Sequence, residues 1–185
     1  MKILVCTLCL LSFLAFKSKE QPRFITENGF ISFTSNAELE LIKANSDKVR
    51  GLIDTSNHQF AFTLDVKTFK GFNNDLQREH FLDKYMEVHS FPTADFSGKI
   101  IEQIDFSTDG SHEVRAKGEL NIHGQKQTRI IKGIITVKNG ILKLESNFKV
   151  PLSDHNIEIP SIVNRKIAMV IDISFKATMV KQQIK

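Results

Sequence analysis

Apolar and polar side chains alternate, one for one, through most of this sequence. Every second residue from Phe60 to Val66 is apolar, and the same holds from Val114 to Ile122. A period of two residues is that of a β-strand with one face buried and the other in water. The same pattern predicts further strands at residues 31–42, 49–54, 94–106, 128–137, 141–150 and 167–179. The sequence therefore predicts an all-β chain of about eight strands.

The segments between several of these strands are short and contain turn residues. Asn139-Gly140 separates two strands and suits a type I′ turn, in which both central residues need a positive φ. Asp109-Gly110 and His123-Gly124 are interpreted in the same way. Short hairpins between long strands predict an antiparallel meander, and eight such strands can close into a barrel. The interior of a barrel of this size is filled by side chains or holds one small ligand.

The aromatic composition indicates that the interior is apolar. The 185 residues include 15 Phe but only 1 Tyr and no Trp, so bulky rings are plentiful and polar aromatic groups are scarce. The length fits one domain. The formal net charge of +4 is too small to indicate a class of partner.

Residues 73–87 break the alternation and predict one helix. Their apolar side chains are spaced as a single helical stripe, formed by Leu76, Phe81, Leu82, Tyr85 and Met86. Asn74 and Gln77 resemble an N-cap residue and its reciprocal capping partner. Phe91-Pro92 ends the segment, because the residue before proline favours extended backbone. We expect this helix to close one end of the barrel.

The first residues resemble a secretory signal peptide, with Lys2 followed by an apolar run from Ile3 to Phe16. The run is shorter than the roughly 20 residues that span a bilayer, and no second run of this kind follows. We expect residues 1–20 to be a signal peptide and residues 21–185 to form one exported domain without a stable membrane span; an uncleaved anchor is the alternative. Cys6 and Cys9 lie in the signal, so the expected mature domain has no disulfide.

No residue pattern here is typical of catalysis, metal binding or nucleic-acid binding. The histidines lack the spacing of zinc ligands, and no acidic cluster has the spacing of a calcium loop. Nucleotide-binding glycine motifs and the nucleophile elbow of serine hydrolases are absent. Lys126, Arg129 and Lys132 lie close together, but the phenylalanines fall on the opposite strand face, so we interpret these charges as a solvated exterior. The sequence predicts no enzyme activity, catalytic residue, metal, cofactor or nucleic-acid partner.

The apolar face of the strands is the remaining candidate for a functional site. The side chains expected to point into the barrel are Phe60, Phe62, Leu64, Phe96, Ile100, Leu142, Leu144 and Phe148. From these residues alone, a packed core and a lipid cavity both stay open.

Residues 73–87 and 90–96 resemble the signature of the YceI-like family. In that family Arg-Asp-x-His-Leu precedes an aromatic pair, and Tyr-Pro-x-x-x-Phe leads into a strand. Here residues 78–81 correspond to Arg-Asp-x-His-Leu but are one residue shorter. Tyr85-Met86 corresponds to the aromatic pair, and Phe91-Pro92 with Phe96 corresponds to Tyr-Pro-x-x-x-Phe. The resemblance covers about residues 24–178.

This resemblance implies an elongated, lipocalin-like barrel, exported to the periplasm, that carries an apolar small molecule: a polyisoprenoid, an isoprenoid quinone or a fatty-acid-like chain. It extends the expected apolar lining to Phe81, Tyr85 and Met86. It also places a polar head group at the barrel mouth, near Arg78, His80 and Lys84. The alternative is a packed barrel without ligand that acts as an envelope stress or protein-interaction module. The oligomeric state stays open, a dimer included.

Overall fold

Eight antiparallel strands follow one another in chain order and close into a barrel, as the sequence predicts. The computed structural model describes residues 23–183, so the predicted signal peptide lies outside the described residues. The strands are β1 (Arg23–Asn36), β2 (Leu41–Asp54), β3 (Gln59–Asp65), β4 (Thr93–Ile100), β5 (Gly110–Ile122), β6 (Gln125–Lys138), β7 (Ile141–Pro151) and β8 (Val170–Lys181). β8 pairs with β1 and completes the closure.

Two of the three predicted tight turns are confirmed. Asn139 and Gly140 have φ values of 52° and 73°, and His123 and Gly124 have φ values of 52° and 70°. Positive φ at both central positions is what a type I′ hairpin turn requires. The prediction for Asp109-Gly110 is wrong, because residues 101–109 form a longer connection and Gly110 is already the first residue of β5.

The predicted first strand, residues 31–42, includes the end of β1, a hairpin turn and the start of β2. β1 ends at Asn36 and β2 begins at Leu41, although the alternation of Ala37, Leu39 and Leu41 continues through the turn. The early part of β1 escaped prediction because its pairing shifts between Thr26 and Ile31, and a shift of this kind breaks the period of two. Residues 43–48 of β2 were also missed, because the buried positions there are the small or polar residues Ala44 and Ser46.

The predicted strand at 94–106 is too long, and the one at 167–179 begins too early. β4 ends at Ile100, and the following residues fold over the adjacent end of the barrel, where Ile104 and Phe106 are buried. Their side chains pack against the inward face of the strands. They therefore continue the apolar alternation of a strand, although their backbone is not paired with another strand. β8 begins at Val170.

The predicted helix at 73–87 is present but shorter. It consists of α1 (Asp75–His80) and a π-helical turn (Phe81–Tyr85). Asn74 is its N-cap and accepts a hydrogen bond of 2.8 Å from the backbone N–H of Gln77. The side-chain oxygen of Gln77 accepts a hydrogen bond from the backbone N–H of Asn73, one residue before the expected partner, Asn74. Among residues 23–183, 3₁₀ helices directly follow β3 and β7, at Val66–Thr68 and Leu152–His155, and a third, Ser161–Val163, lies in the loop before β8.

The core divides into two clusters along the barrel axis. One cluster fills the end where residues 101–109 fold inward, which we call the closed end; it includes Phe24, Ile53, Phe106 and Met179. The other lies at the opposite end beneath α1, which we call the helix end. No helix among residues 23–183 is long and apolar enough to cross a membrane.

Candidate ligand-binding cavity

The middle of the barrel encloses a cavity of about 170 Å³, which we call the inner chamber. Phenylalanine rings form much of its wall: the centroids of Phe60 and Phe96 lie 4.9 Å apart, and those of Phe62 and Phe175 lie 5.2 Å apart. Gly51 makes room for one of these rings, since a Cβ placed there would lie 2.1 Å from Cδ1 of Phe62. The aromatic wall is therefore fitted to a glycine on the neighbouring strand.

A second cavity of about 400 Å³, the outer chamber, lies beneath α1 at the helix end. Phe81 of the π-helical turn stacks on Phe33 of β1 at 5.3 Å between ring centroids. Phe69 and Phe72 surround Phe81 at 5.7 Å and 5.1 Å. These four rings anchor the helix to the barrel and form one side of the chamber.

The two chambers share part of their lining. Six residues line both: Ile31, Leu64, Ala94, Ile122, Val150 and Ile173. All six are aliphatic, and we call them the junction ring. Ala94 of β4 contributes only a methyl group and is the smallest member of the ring. The two chambers are therefore adjacent along the barrel, and the lining that they share is apolar.

Polar residues appear where the outer chamber meets solvent. Its lining there includes Glu40, Asn74, Gln77, His80 and Lys166. Gln77 donates a hydrogen bond of 2.9 Å to the carboxylate of Glu40, which ties α1 to the β1–β2 hairpin. The surface therefore changes from hydrocarbon inside to hydrogen-bonding groups at the mouth.

The barrel wall opens partly between β6 and β7. These strands pair only over the five residue pairs next to their hairpin. Farther toward the helix end, side chains bridge the separation: Arg129 donates to Asp154 at 3.0 Å and to the carbonyl of Lys149 at 2.8 Å. Arg129 thus lies in the wall, and its interpretation as a solvated exterior charge is wrong. The inner chamber reaches this separation, because Ser146 and Phe148 line it.

Two buried histidines hold the segment after β7 against the β5–β6 hairpin. Nδ1 of His155 lies 3.1 Å from the carbonyl oxygen of Gln125, and Nδ1 of His123 lies 3.1 Å from the carbonyl oxygen of His155. Nε2 of His123 is 3.7 Å from a Glu87 carboxylate oxygen. Burial lowers the pKa of His155 below its usual value of 6.5, so the ring is neutral at pH 7.

Most of the predicted lining residues border one of the chambers. Seven line the inner chamber: Phe60, Phe62, Leu64, Phe96, Ile100, Leu144 and Phe148. Phe81, Tyr85, Met86 and His80 line the outer one. Leu142 borders neither, because it is fully buried in the core of the closed end. Contact of any of these residues with a ligand stays a prediction.

Two of the three residues predicted near a head group do not border a chamber. Arg78 donates to the carbonyl oxygens of Phe69 and Lys67 at 3.0 Å and 2.7 Å, so its guanidinium holds the connection before α1 in place. Lys84 is exposed and does not line the outer chamber. Lys166, from the loop before β8, lines the mouth instead.

Sequence reasoning missed the loop between β7 and β8 as a wall of the site. Ile157, Ile159, Val163 and Ile167 line the outer chamber from this loop. The available signal was a run of aliphatic residues interrupted by Pro160, which fits neither a strand nor a helix. The rings of Phe69 and Phe72 were missed for a similar reason, because both follow the end of β3 in irregular backbone.

Fold and cavity define a lipocalin-like class of protein: a small antiparallel barrel with an apolar interior and a polar mouth. The sequence profile of the YceI-like domain matches residues 23–179. The chain therefore belongs to the YceI-like family, as its signature predicts. No curated protein sequence matches it significantly.

Solved structures share this fold at low sequence identity. A polyisoprenoid-binding domain from Saccharophagus degradans, described as implicated in plant cell wall breakdown, superposes with a TM-score of 0.74 at 13% identity, covering 88% of this chain and 99% of that one. BcnA from Burkholderia cenocepacia gives 0.68 at 15% identity, covering 82% and 96%. The YCEI protein of Campylobacter jejuni gives 0.61 at 14% identity, covering 80% and 90%.

Proposed function

We propose that this protein binds a long, unbranched or methyl-branched apolar chain inside its barrel and carries it without chemical change. The observation that supports this most directly is the junction ring, whose six aliphatic residues border both apolar chambers. A long chain can occupy both chambers, whereas a compact ligand would fill only one. A polyisoprenoid, an isoprenoid quinone or a fatty-acid-like chain has the required shape.

The energetics of such binding depend on hydrocarbon burial. Each buried methylene contributes about 0.8 kcal/mol, so a chain that fills both chambers needs few polar contacts. The similarity in fold to a polyisoprenoid-binding domain supports the same ligand class. A polar head group would lie at the mouth, where Lys166 and His80 border the outer chamber.

We further propose that the carrier works outside the cytoplasm, in the periplasm. The support is the sequence of residues 1–20, with one basic residue before an apolar run too short to span a bilayer. The barrel has no need of reducing conditions, since both cysteines fall within those residues. Residues 21–185 would then form the mature carrier domain.

The first test is to identify what the protein carries. The full chain is expressed into a bacterial periplasm, and native mass spectrometry is followed by organic extraction. We expect a stoichiometric apolar chain to be released. An empty protein that also gains no mass with added isoprenoid quinones or fatty acids would support the packed interaction module.

Two variants connect this result to the cavity. Ala94→Phe narrows the junction ring with an apolar side chain and should exclude long chains. Ala61→Phe makes the same substitution on an exposed position of β3 and should leave uptake unchanged. Equal uptake by both variants would contradict binding along the axis. Phe62→Asp, which introduces a charge into the inner chamber, should abolish uptake in a folded protein.

A further inference from the structure

The mouth of the outer chamber is surrounded by a rim that hydrogen bonds hold together. The rim consists of three segments: residues 37–41, 73–80 and 161–167. The backbone N–H of Leu39 donates to the carbonyl of Arg165 at 2.9 Å, joining the first segment to the third. Gln77 donates to Glu40 at 2.9 Å, joining the second to the first. The rim is thus one connected surface built from distant parts of the chain.

Large aliphatic side chains project from every segment of this rim. Leu39 is 57% exposed, Leu76 is 58% exposed and Ile162 is 89% exposed. Leu41, at the end of the first segment, is also exposed. Leu76 lines the outer chamber as well, so apolar surface continues from the rim into the barrel.

The charges of the rim nearly cancel, and four of its seven charged side chains form hydrogen bonds: Glu38, Glu40, Arg78 and Arg165. The three segments contain four acidic residues (Glu38, Glu40, Asp75 and Glu79) and three basic ones (Arg78, Arg165 and Lys166). Arg165 donates to Glu38 at 2.6 Å, and the pairing lowers the pKa of the Glu38 carboxyl. The carbonyl of Leu41 accepts from Asn73. A surface whose polar groups bond to one another can enter a less polar medium at lower cost.

From these features we infer that the rim is a docking surface for a lipid bilayer, with the outer chamber opening toward the membrane. Separate aliphatic side chains around a mouth suit a fluid interface, where each finds hydrocarbon independently. A protein partner is better matched by one contiguous apolar face enriched in aromatic residues. Because the rim carries no excess of basic residues, insertion rather than attraction to anionic lipids would govern binding.

This docking would give the proposed carrier a path to its ligand. A chain leaving the bilayer could pass over Leu76 into the outer chamber with little exposure to water. The purpose of this docking, delivery of a ligand, rests on the proposed function. The docking itself is measured on the protein without ligand.

The test is flotation of the protein with phosphatidylcholine vesicles, repeated with vesicles that contain phosphatidylglycerol at low and high salt. Leu39→Asp combined with Ile162→Asp removes two exposed rim side chains, neither of which lines a chamber. We expect the vesicle partition coefficient to fall about tenfold or more, because both side chains lose their hydrocarbon contacts. Ile130→Asp combined with Val180→Asp is the matched control. These residues are 57% and 51% exposed on the barrel wall, and their variant should bind like the unaltered protein.

Three results would overturn the inference. They are absence of vesicle binding, equal loss in the rim and wall variants, and binding that needs anionic lipid and disappears at high salt. A rim-dependent dimer without vesicle binding would likewise assign the surface to a second copy of the chain. Because the rim variant keeps both chambers, its uptake of an apolar chain in solution separates failure of docking from failure of ligand binding.

Discussion

The contact between Gly51 and Phe62 sets the shape of the inner chamber at the scale of single residues. A Cβ at position 51 would overlap the ring, so Gly51→Ala forces Phe62 out of its place against Phe175. We expect a loss of about 1–3 kcal/mol in the free energy of unfolding, the usual cost of overpacking. The measurement is urea denaturation.

A double variant distinguishes this local clash from a general sensitivity of β2 to substitution. Phe62→Leu removes ring atoms that the new methyl group would meet, so its combination with Gly51→Ala should cost less than the sum of the single changes. Strict additivity would contradict the proposed clash.

His155 makes the stability of the helix end depend on pH. Burial lowers its pKa in the folded protein, so below about 6.5 the unfolded chain binds more protons than the folded one. The stability contributed by the neutral ring is complete above that pH and decreases as the pH falls. We expect the urea midpoint to decrease between pH 7.5 and 5, and to decrease less in His155→Gln, whose side chain does not titrate. Parallel pH profiles for the two proteins would disprove the assignment.

At the scale of elements, regular strands were predictable and irregular segments were not. The alternation from Phe60 to Val66 and the turn at Asn139-Gly140 determine β3 and the β6–β7 hairpin locally. The shifted pairing of β1, which occurs against both β2 and the distant β8, has no comparable local signal. The loop carrying Ile157 and Ile167 forms a wall only after the barrel has closed. For this reason the inner chamber was largely foreseen and the outer chamber only in part.

The separation of β6 and β7 makes Arg129 a structural bridge between two elements. Arg129→Met keeps the aliphatic stem but leaves the Asp154 carboxylate and the Lys149 carbonyl without this donor. We expect a loss of about 1–2 kcal/mol, moderated because both side chains of the ion pair are partly exposed. Amide hydrogen exchange should also accelerate in residues 146–150.

Lys132→Met provides the comparison for this bridge. It removes an exposed cation from the same strand and should change stability by less than about 0.5 kcal/mol. If the two variants lost equal stability, strand charge in general, rather than the bridge, would be responsible.

At the scale of the whole molecule, the two chambers predict how binding depends on chain length. Geraniol, farnesol and geranylgeraniol form a series in which each added methylene buried contributes about 0.8 kcal/mol. Affinity should therefore rise along the series as the chain passes from the outer into the inner chamber. At a ligand concentration of about 100 times Kd, mass action adds about 2.7 kcal/mol, which raises Tm by about 5–10 °C for a domain of this size.

The Ala94→Phe variant tests whether this dependence on chain length arises at the junction ring. With the ring narrowed, only the outer chamber accepts a chain, so the three alcohols should bind with similar affinity and give similar thermal shifts. Ala61→Phe should retain the full dependence on length, because its new ring lies on the outer face of β3. A flat series in the unaltered protein would mean that the inner chamber stays closed to ligands. No thermal shift with any of the three would instead mean that the barrel does not bind isoprenoid alcohols, since a ligand that binds the folded state must stabilise it.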